Sequence, residues 1–129
     1  KSWADLGGKS VAVTRGAIED QELSKVAPAN TDIKRFEDNN ATVSAFVSGQ
    51  TQLIATGASV AGNMIQKNPQ LGAEYKLLLK DSPNFIGVGK GEDALRLKVN
   101  EVIAAAKKAG DIDKLANKWL GRPAGDLPQ

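Results

Sequence analysis

The apolar positions of this chain fall into short runs and helical stripes that alternate along most of its length. Lys9 to Thr14 carries a continuous apolar centre, Val11-Ala12-Val13, the pattern of a strand covered on both faces. Ala17 to Ala27 then spaces Ile18, Leu23, Val26 and Ala27 as one helical stripe, closed by Pro28-Ala29-Asn30. Asp32 to Phe36 alternates, with Ile33 and Phe36 as its large apolar members, and predicts a second strand. Asp38-Asn39-Asn40 is an N-cap cluster for a helix over Ala41 to Val47, with Val43, Phe46 and Val47 on one side and Gly49 at its end. Gln52 to Thr56 predicts a third strand. Gly57 ends it, and Ala58 to Gln66 predicts a helix that turns Val60, Ala61, Met64 and Ile65 inward, broken at Asn68-Pro69.

Two further strands are expected, at Tyr75 to Leu79 and Phe85 to Gly89, with a turn at 81–84 between them. Two helices follow. The first, Asp93 to Ala109, carries the stripe Leu95, Val99, Val102, Ile103 and Ala106, with Gly110 as C-cap. The second runs from an N-cap at Asp111 to Leu120 and buries Ile112, Leu115, Ala116, Trp119 and Leu120. At the other end, Ser2 to Leu6 reads as a helical turn capped by Ser2 and stopped by Gly7-Gly8. The tail after Gly121 is irregular.

Strand and helix in alternation imply right-handed crossovers. The fold class is therefore α/β: a three-layer, parallel-type sheet with helices on both faces. In such sheets ligands sit outside the carboxyl ends of the strands. Gly16 and Gly57 both fall there. The stretch Val13-Thr14-Arg15-Gly16-Ala17-Ile18 goes from strand through Gly to helix, which aims unpaired backbone N–H groups at one spot suited to a carboxylate or phosphate. A plain β–α turn has the same signature. Arg15 suits an acidic group of a ligand equally with a solvated surface position.

Composition narrows the chemistry. The 129 residues are enough for one ordinary domain, and 41% hydrophobic with 25% charged residues is a globular balance. A net charge of +2, without basic clusters, gives no reason to expect nucleic acid. No apolar run reaches the roughly 18 residues of a membrane span, and Lys1-Ser2-Trp3 opens no signal peptide. Without any Cys or His there is no thiol nucleophile, imidazole base or usual zinc site. Neither a cofactor nor a metal is expected, and catalysis, which would have to use carboxylates, Lys, Tyr75 or hydroxyls, is the minority expectation.

Asp5-Leu6-Gly7-Gly8-Lys9-Ser10-Val11-Ala12-Val13 at the entry resembles the "DLKGKKVAV" of the polar amino-acid solute-binding proteins of bacterial ABC importers, a type II periplasmic-binding-protein fold. The resemblance continues in order. Arg15-Gly16-Ala17-Ile18 stands where that family has "xGTT"; Ile33-Lys34-Arg35-Phe36 with Asp38-Asn39 resembles its "RFDD" strand end. Ser48-Gly49-Gln50 with Leu53-Ile54-Ala55-Thr56 is similar to "NGRVDAVVTD", and Phe85-Ile86-Gly87-Val88 with Lys90-Gly91 to "YGIAVRKG". Leu95, Val99, Asn100, Gly110, Asp113-Lys114-Leu115 and Lys118-Trp119-Leu120-Gly121 resemble the family's ending.

The resemblance implies that residues 1–84 form one ligand-binding lobe, and that 85–129 are a return strand and C-terminal helices belonging to a first lobe whose core is missing. A fragment is then expected, covering its helical stripes by dimerising, by swapping those helices or by refolding them onto its own lobe. Implied as well are a small polar, amino-acid-like solute held between two lobes, a membrane permease as partner, a periplasmic location and no catalysis. The ligand-binding residues carried over are Arg15, Gly16, Ala17, Ile18, Thr56 and Gly57. Two of these positions depart from the family. Its hydroxyl after the Gly is Ala17-Ile18 here, and its carboxylate for the ligand's ammonium falls on Gly57. Glu19, Asp20 or Asp38 are the candidates to replace that carboxylate, or are partners of helix dipoles only. A ligand-sensing domain of a receptor on the same fold is the alternative function, and a carboxylate-dependent enzyme a remoter one.

Overall fold

In a computed structural model of the chain, residues 2–81, 83 and 85–125 are described. The chain divides into two compact units, Lys1–Asp81 and Ser82–Gln129.

The first unit is built on a parallel sheet of three strands, β1 (Ser10–Thr14), β2 (Asp32–Phe36) and β3 (Leu53–Ile54), in the order β2-β1-β3. β1 is central. It pairs along its whole length with β2, Val11 beside Ile33 and Val13 beside Arg35, and more briefly with β3, Val11 beside Leu53. Helices α1 (Ile18–Val26), α2 (Asn39–Val47) and α3 (Ala58–Lys67) follow the strands in turn.

The two crossovers step in opposite directions, from β1 outward to β2 and from β2 back across β1 to β3. Right-handed connections therefore put α1 and α2 on opposite faces. The alternation of β1 agrees. Val11 and Val13 face α1 and join Leu6 and Leu23 in the core, with Trp3, Ile33, Leu53 and Leu79 packed around them. Ala12 and Thr14 face α2, whose Thr42 and Ala45 are fully enclosed. The apolar stripes expected on the helices are rotated in both cases. On α1 Leu23 is the one buried apolar residue, while Ile18 is 52% exposed; on α2 the enclosed pair is Thr42 and Ala45, with Val43, Phe46 and Val47 half-buried beside it. On α3, Gly62 and Met64 are the buried residues.

Three expectations about strands are corrected. The third strand is two residues long, prolonged by the Ala55 N–H donating to the Ala12 carbonyl at 2.9 Å. Tyr75 to Leu79 is not a strand. It has the apolar run of one but no strand beside it among the described residues, and it is held by side chains: Leu79 packs on the core and Lys80 Nζ lies 3.5 Å from Glu22 Oε1. Phe85 to Gly89 is not a strand either among the described residues, and Phe85 is 75% exposed. Of the turn expected at 81–84, positions 82 and 84 lie outside the described residues, as do 126–129 of the tail.

The second unit holds α4 (Asp93–Ala109) and α5 (Asp111–Leu120), with the bounds that the apolar spacing implies. Gly110, at φ +80°, ends α4 and is itself the N-cap of α5, so Asp111 is the first helical residue rather than the cap. Only Ala116 is buried here among the described residues. Leu95, Leu97, Val102, Leu115 and Trp119 are half or more exposed.

Candidate functional site

The sheet order sets which strand ends lie side by side. Sheets of this kind hold ligands beyond the carboxyl ends of their strands, and there the chain leaving β1 and the chain leaving β3 come close, Glu19 Oε1 lying 3.8 Å from where a Cβ on Gly57 would stand; the space between them is the candidate crevice. Its walls are the turn 15–17 leading into α1 and the turn 55–57 leading into α3. Five of the six expected site residues lie in these turns and Ile18 starts α1; the fold brings all six to one edge.

Each turn leaves a helix N-terminus without a side-chain cap. Ala17 and Gly57 are the N-caps of α1 and α3 and neither offers a side-chain oxygen. At α2 the opposite holds: Asp38 Oδ1 accepts the Ala41 N–H at 2.8 Å, as the Asp38-Asn39-Asn40 cluster predicts. The helical ladder of α1 begins where the Gln21 N–H meets the Ala17 carbonyl (3.2 Å), and that of α3 where Ala61 meets Gly57 (2.9 Å). The first-turn N–H groups before them, Ile18 among them, have no carbonyl one turn back and face the crevice end of the helix.

The two amides before Ile18 are engaged within the protein. The Ala17 N–H donates to the Thr14 carbonyl at 3.2 Å, and the Gly16 N–H to Asp20 Oδ2 at 3.0 Å. Gly16 sits at φ +72°, a left-handed conformation that suits glycine and lets the chain reverse between β1 and α1.

Asp20 anchors this turn. Its carboxylate also accepts Arg35 Nε at 2.8 Å and 3.1 Å, and Arg35 reaches Ser24 Oγ at 3.0 Å. Burial alone would raise the Asp20 pKa. The Gly16 N–H, the Arg35 hydrogen bond and charge, and Ser24 outweigh it, so the carboxyl is held below its ordinary value.

Behind the turn, Thr14 Oγ1 lies 2.7 Å from the Asn39 side-chain amide and 2.9 Å from Thr42 Oγ1, which donates to the Asp38 carbonyl at 2.8 Å. Three contacts share two hydroxyl protons. Thr14 Oγ1 donates to Asn39 Oδ1 and Thr42 Oγ1 to the Asp38 carbonyl, and the two hydroxyl oxygens lie against each other. This chain of hydroxyls fixes α2 to the end of β1.

At the surface, Arg15 is paired with Glu37 at 3.2 Å, with 62% of its side chain exposed. Glu19 points toward the opposite wall: its Oε1 is 3.8 Å from where a Cβ on Gly57 would stand. Thr56 is half-buried beside Gly57. No group of three or more acidic residues suited to a metal occurs among the described residues, and none of the described helices is long and apolar enough to cross a membrane.

No protein-family model matches the chain. Two solved structures of an ancestral arginine-binding protein, bound to arginine and to glutamine, superimpose with TM-scores of 0.67 and 0.66; each is 32% identical and is matched over 54% of its own chain by 94% and 95% of this one. The ABC transporter glutamine-binding protein of Bacillus subtilis (strain 168) is 29% identical over 124 residues, which are 93% of this chain and 44% of that protein. The chain's homologues are amino-acid-binding proteins of ABC transporters. It spans about half the length of these binding proteins. A Shewanella frigidimarina protein whose name marks it as a candidate sensor is 28% identical over 122 residues, 93% of this chain and 18% of that protein. The fold is thus the periplasmic-binding-protein type in part, a parallel sheet flanked by helices, and the binding proteins among the relatives are not enzymes.

Proposed function

We propose that this chain supplies one wall of the solute cleft in the binding component of an amino-acid ABC importer. Residues 1–84 are the ligand-binding lobe, and 85–129 hold the helices that pack on a second wall. That wall corresponds to the half of the relatives' length which this chain does not span. The observation that carries the reading is the crevice between the ends of β1 and β3, where the α1 and α3 N-termini carry no side-chain cap, on a chain whose relatives bind amino acids. A ligand carboxylate meets the first turn of α1 at Ile18. Gly16 and Ala17 shape the turn, Arg15 supplies nearby positive charge, and Thr56 and Gly57 form the facing edge.

In this reading the solute is a small amino acid, the closed protein docks on a membrane permease, and the location is periplasmic. The exposed apolar faces of α4 and α5 support pairing of two copies when the second wall is not supplied. The Shewanella relative favours a second reading, in which the same lobe reports an amino acid to an attached signalling region. Uptake of a labelled amino acid that depends on the protein separates the importer from the sensor.

The direct test is a titration of the isolated chain with L-glutamine and L-arginine, followed by amide NMR. Saturable shifts confined to 15–19 and 56–58, with millimolar or weaker affinity, are expected. No shift at these amides with either amino acid overturns the site, and submillimolar affinity overturns the two-wall account.

A further inference from the structure

The acidic side chains around the crevice are not equivalent. Asp20 is held by the Gly16 N–H and Arg35, Asp38 is spent on capping α2, and Glu37 pairs with Arg15. On the outer side of α1, Glu22 meets Lys25 and Lys80. Glu19 alone of these five makes no hydrogen bond or ion pair among the described residues. It is half-buried, its carboxylate projects from the first turn of α1 across to Gly57, and Gly57 contributes no side chain to answer it. A half-buried carboxylate without a partner forgoes the charge-assisted hydrogen bonds that would repay its desolvation. The backbone does not supply them: no N–H of the α3 first turn donates to it.

A free amino acid carries an ammonium beside its carboxylate, and enclosing that ammonium without a counter-charge is costly. We propose that Glu19 receives the ammonium of the ligand in the crevice between β1 and β3, and that Gly57 keeps open the space in which the two meet. The inference rests on the binding function proposed above and adds to it the residue that selects for a free amino group. With the ligand carboxylate at the α1 N-terminus and its ammonium against Glu19, both charges are met from one helical turn, at positions 18 and 19. Asp20, one residue on, is withdrawn into the fold by Arg35, so the carboxylate that anchors the turn and the one that meets the ligand are separate.

The test compares L-glutamine with N-acetyl-L-glutamine, which keeps the carboxylate and lacks the ammonium. With the chain labelled for NMR, the Ile18 amide is expected to shift with both compounds at tens of millimolar. The Glu19 side-chain carboxyl carbon is expected to shift with L-glutamine alone. In Glu19→Gln the affinity for L-glutamine is expected to fall at least about tenfold, to the level of the acetylated compound. Preference for L-glutamine that persists in Glu19→Gln overturns the proposal while leaving the binding function standing. An Ile18 amide that responds to neither compound overturns the binding site itself. Gly57→Leu fills the space that Gly57 leaves open and is expected to abolish the preference for L-glutamine; a preference that survives it overturns the part given to Gly57.

Discussion

Asp20 and Arg35 lie fifteen residues apart and join the first turn of α1 to β2 through two hydrogen bonds of 2.8 and 3.1 Å. The pair does more than cross-link two elements. Because Asp20 also accepts the Gly16 N–H, the guanidinium fixes the turn that forms one wall of the crevice. Arg35→Met keeps the aliphatic stem packed on the α1 face and removes the charge. With Asp20 enclosed and Arg35 partly exposed, a loss of about 1–3 kcal/mol in unfolding free energy is expected. A urea midpoint unchanged from the parent would rule out a supporting role for the pair.

The same carboxylate gives stability a pH dependence. Its folded pKa lies below the ordinary carboxylate value, so at acid pH the unfolded chain binds the proton more tightly. The contribution is complete above the unfolded value, about 3.9, and is lost as pH falls through the folded one. Urea midpoints measured from neutral pH downward are expected to drop in this window more steeply for the parent chain than for Asp20→Asn. Parallel curves would show that Asp20 titrates alike in both states.

Gly16 and Gly57 flank one crevice but should respond differently to a side chain. At Gly16 the φ of +72° makes any L-residue strained by roughly 1–2 kcal/mol, although nothing lies within 4 Å of the added atom. Gly16→Val is expected to destabilise the chain and disturb the turn that presents the Ile18 amide. Gly57 has an ordinary φ of −65°, and Gly57→Ala should stay within about 1 kcal/mol, the usual range for an N-cap glycine. Equal urea midpoints for the two variants would contradict this difference in backbone cost.

Much of this was legible in the sequence because periodicity is a local property. The bounds of α4 and α5, the strand at Asp32–Phe36 and the cap at Asp38 all follow from spacing and residue type. The segments Tyr75–Leu79 and Phe85–Gly89 were misread as strands, since a short apolar run has the character of a strand while only a neighbouring backbone makes it one. The crevice was located by the two Gly turns. What spacing could not distinguish was Glu19 from Asp20: adjacent acids on one helical turn point in different directions, and their roles depend on Arg35 and Gly57, which reach them only through the fold.

Two buried threonines test how the hydroxyls are satisfied. Thr42 is enclosed between Thr14 and the Asp38 carbonyl, so Thr42→Val leaves both short of a partner and should cost about 1–2 kcal/mol. Thr51 is also buried, yet its Oγ1 has no hydrogen-bond partner among the described residues. Thr51→Val replaces an unmatched hydroxyl by a methyl of similar shape, and is expected to leave stability unchanged or raise it by up to about 1 kcal/mol. Matching losses in the two variants would mean that the Thr51 hydroxyl is satisfied in solution.

The α4–α5 unit cannot be stable on the strength of Ala116, the only residue it buries among those described. On α4, Leu95, Val99, Val102 and Ala106 recur at intervals of four, three and four residues, the seam of a paired helix; Val102 is 58% exposed, and Trp119 on α5 is 61% exposed. Ile86, Lys98, Val99, Val102 and Ile103 line a shallow apolar cavity of about 290 Å³ on this unit. The helix is acidic where it starts, at Glu92 and Asp93, and basic where it ends, at Lys107 and Lys108. Two copies laid antiparallel across a two-fold axis therefore bring each acidic end beside the other's basic end, while the seams cover one another. Light scattering coupled to size exclusion is expected to give twice the chain mass for the isolated protein and a single chain mass for Val102→Asp. Since Val102 is exposed, the substitution should leave the helical circular-dichroism signal of a single copy intact. A parent chain that runs as a monomer at micromolar concentration would mean that these apolar faces are not covered by a second copy.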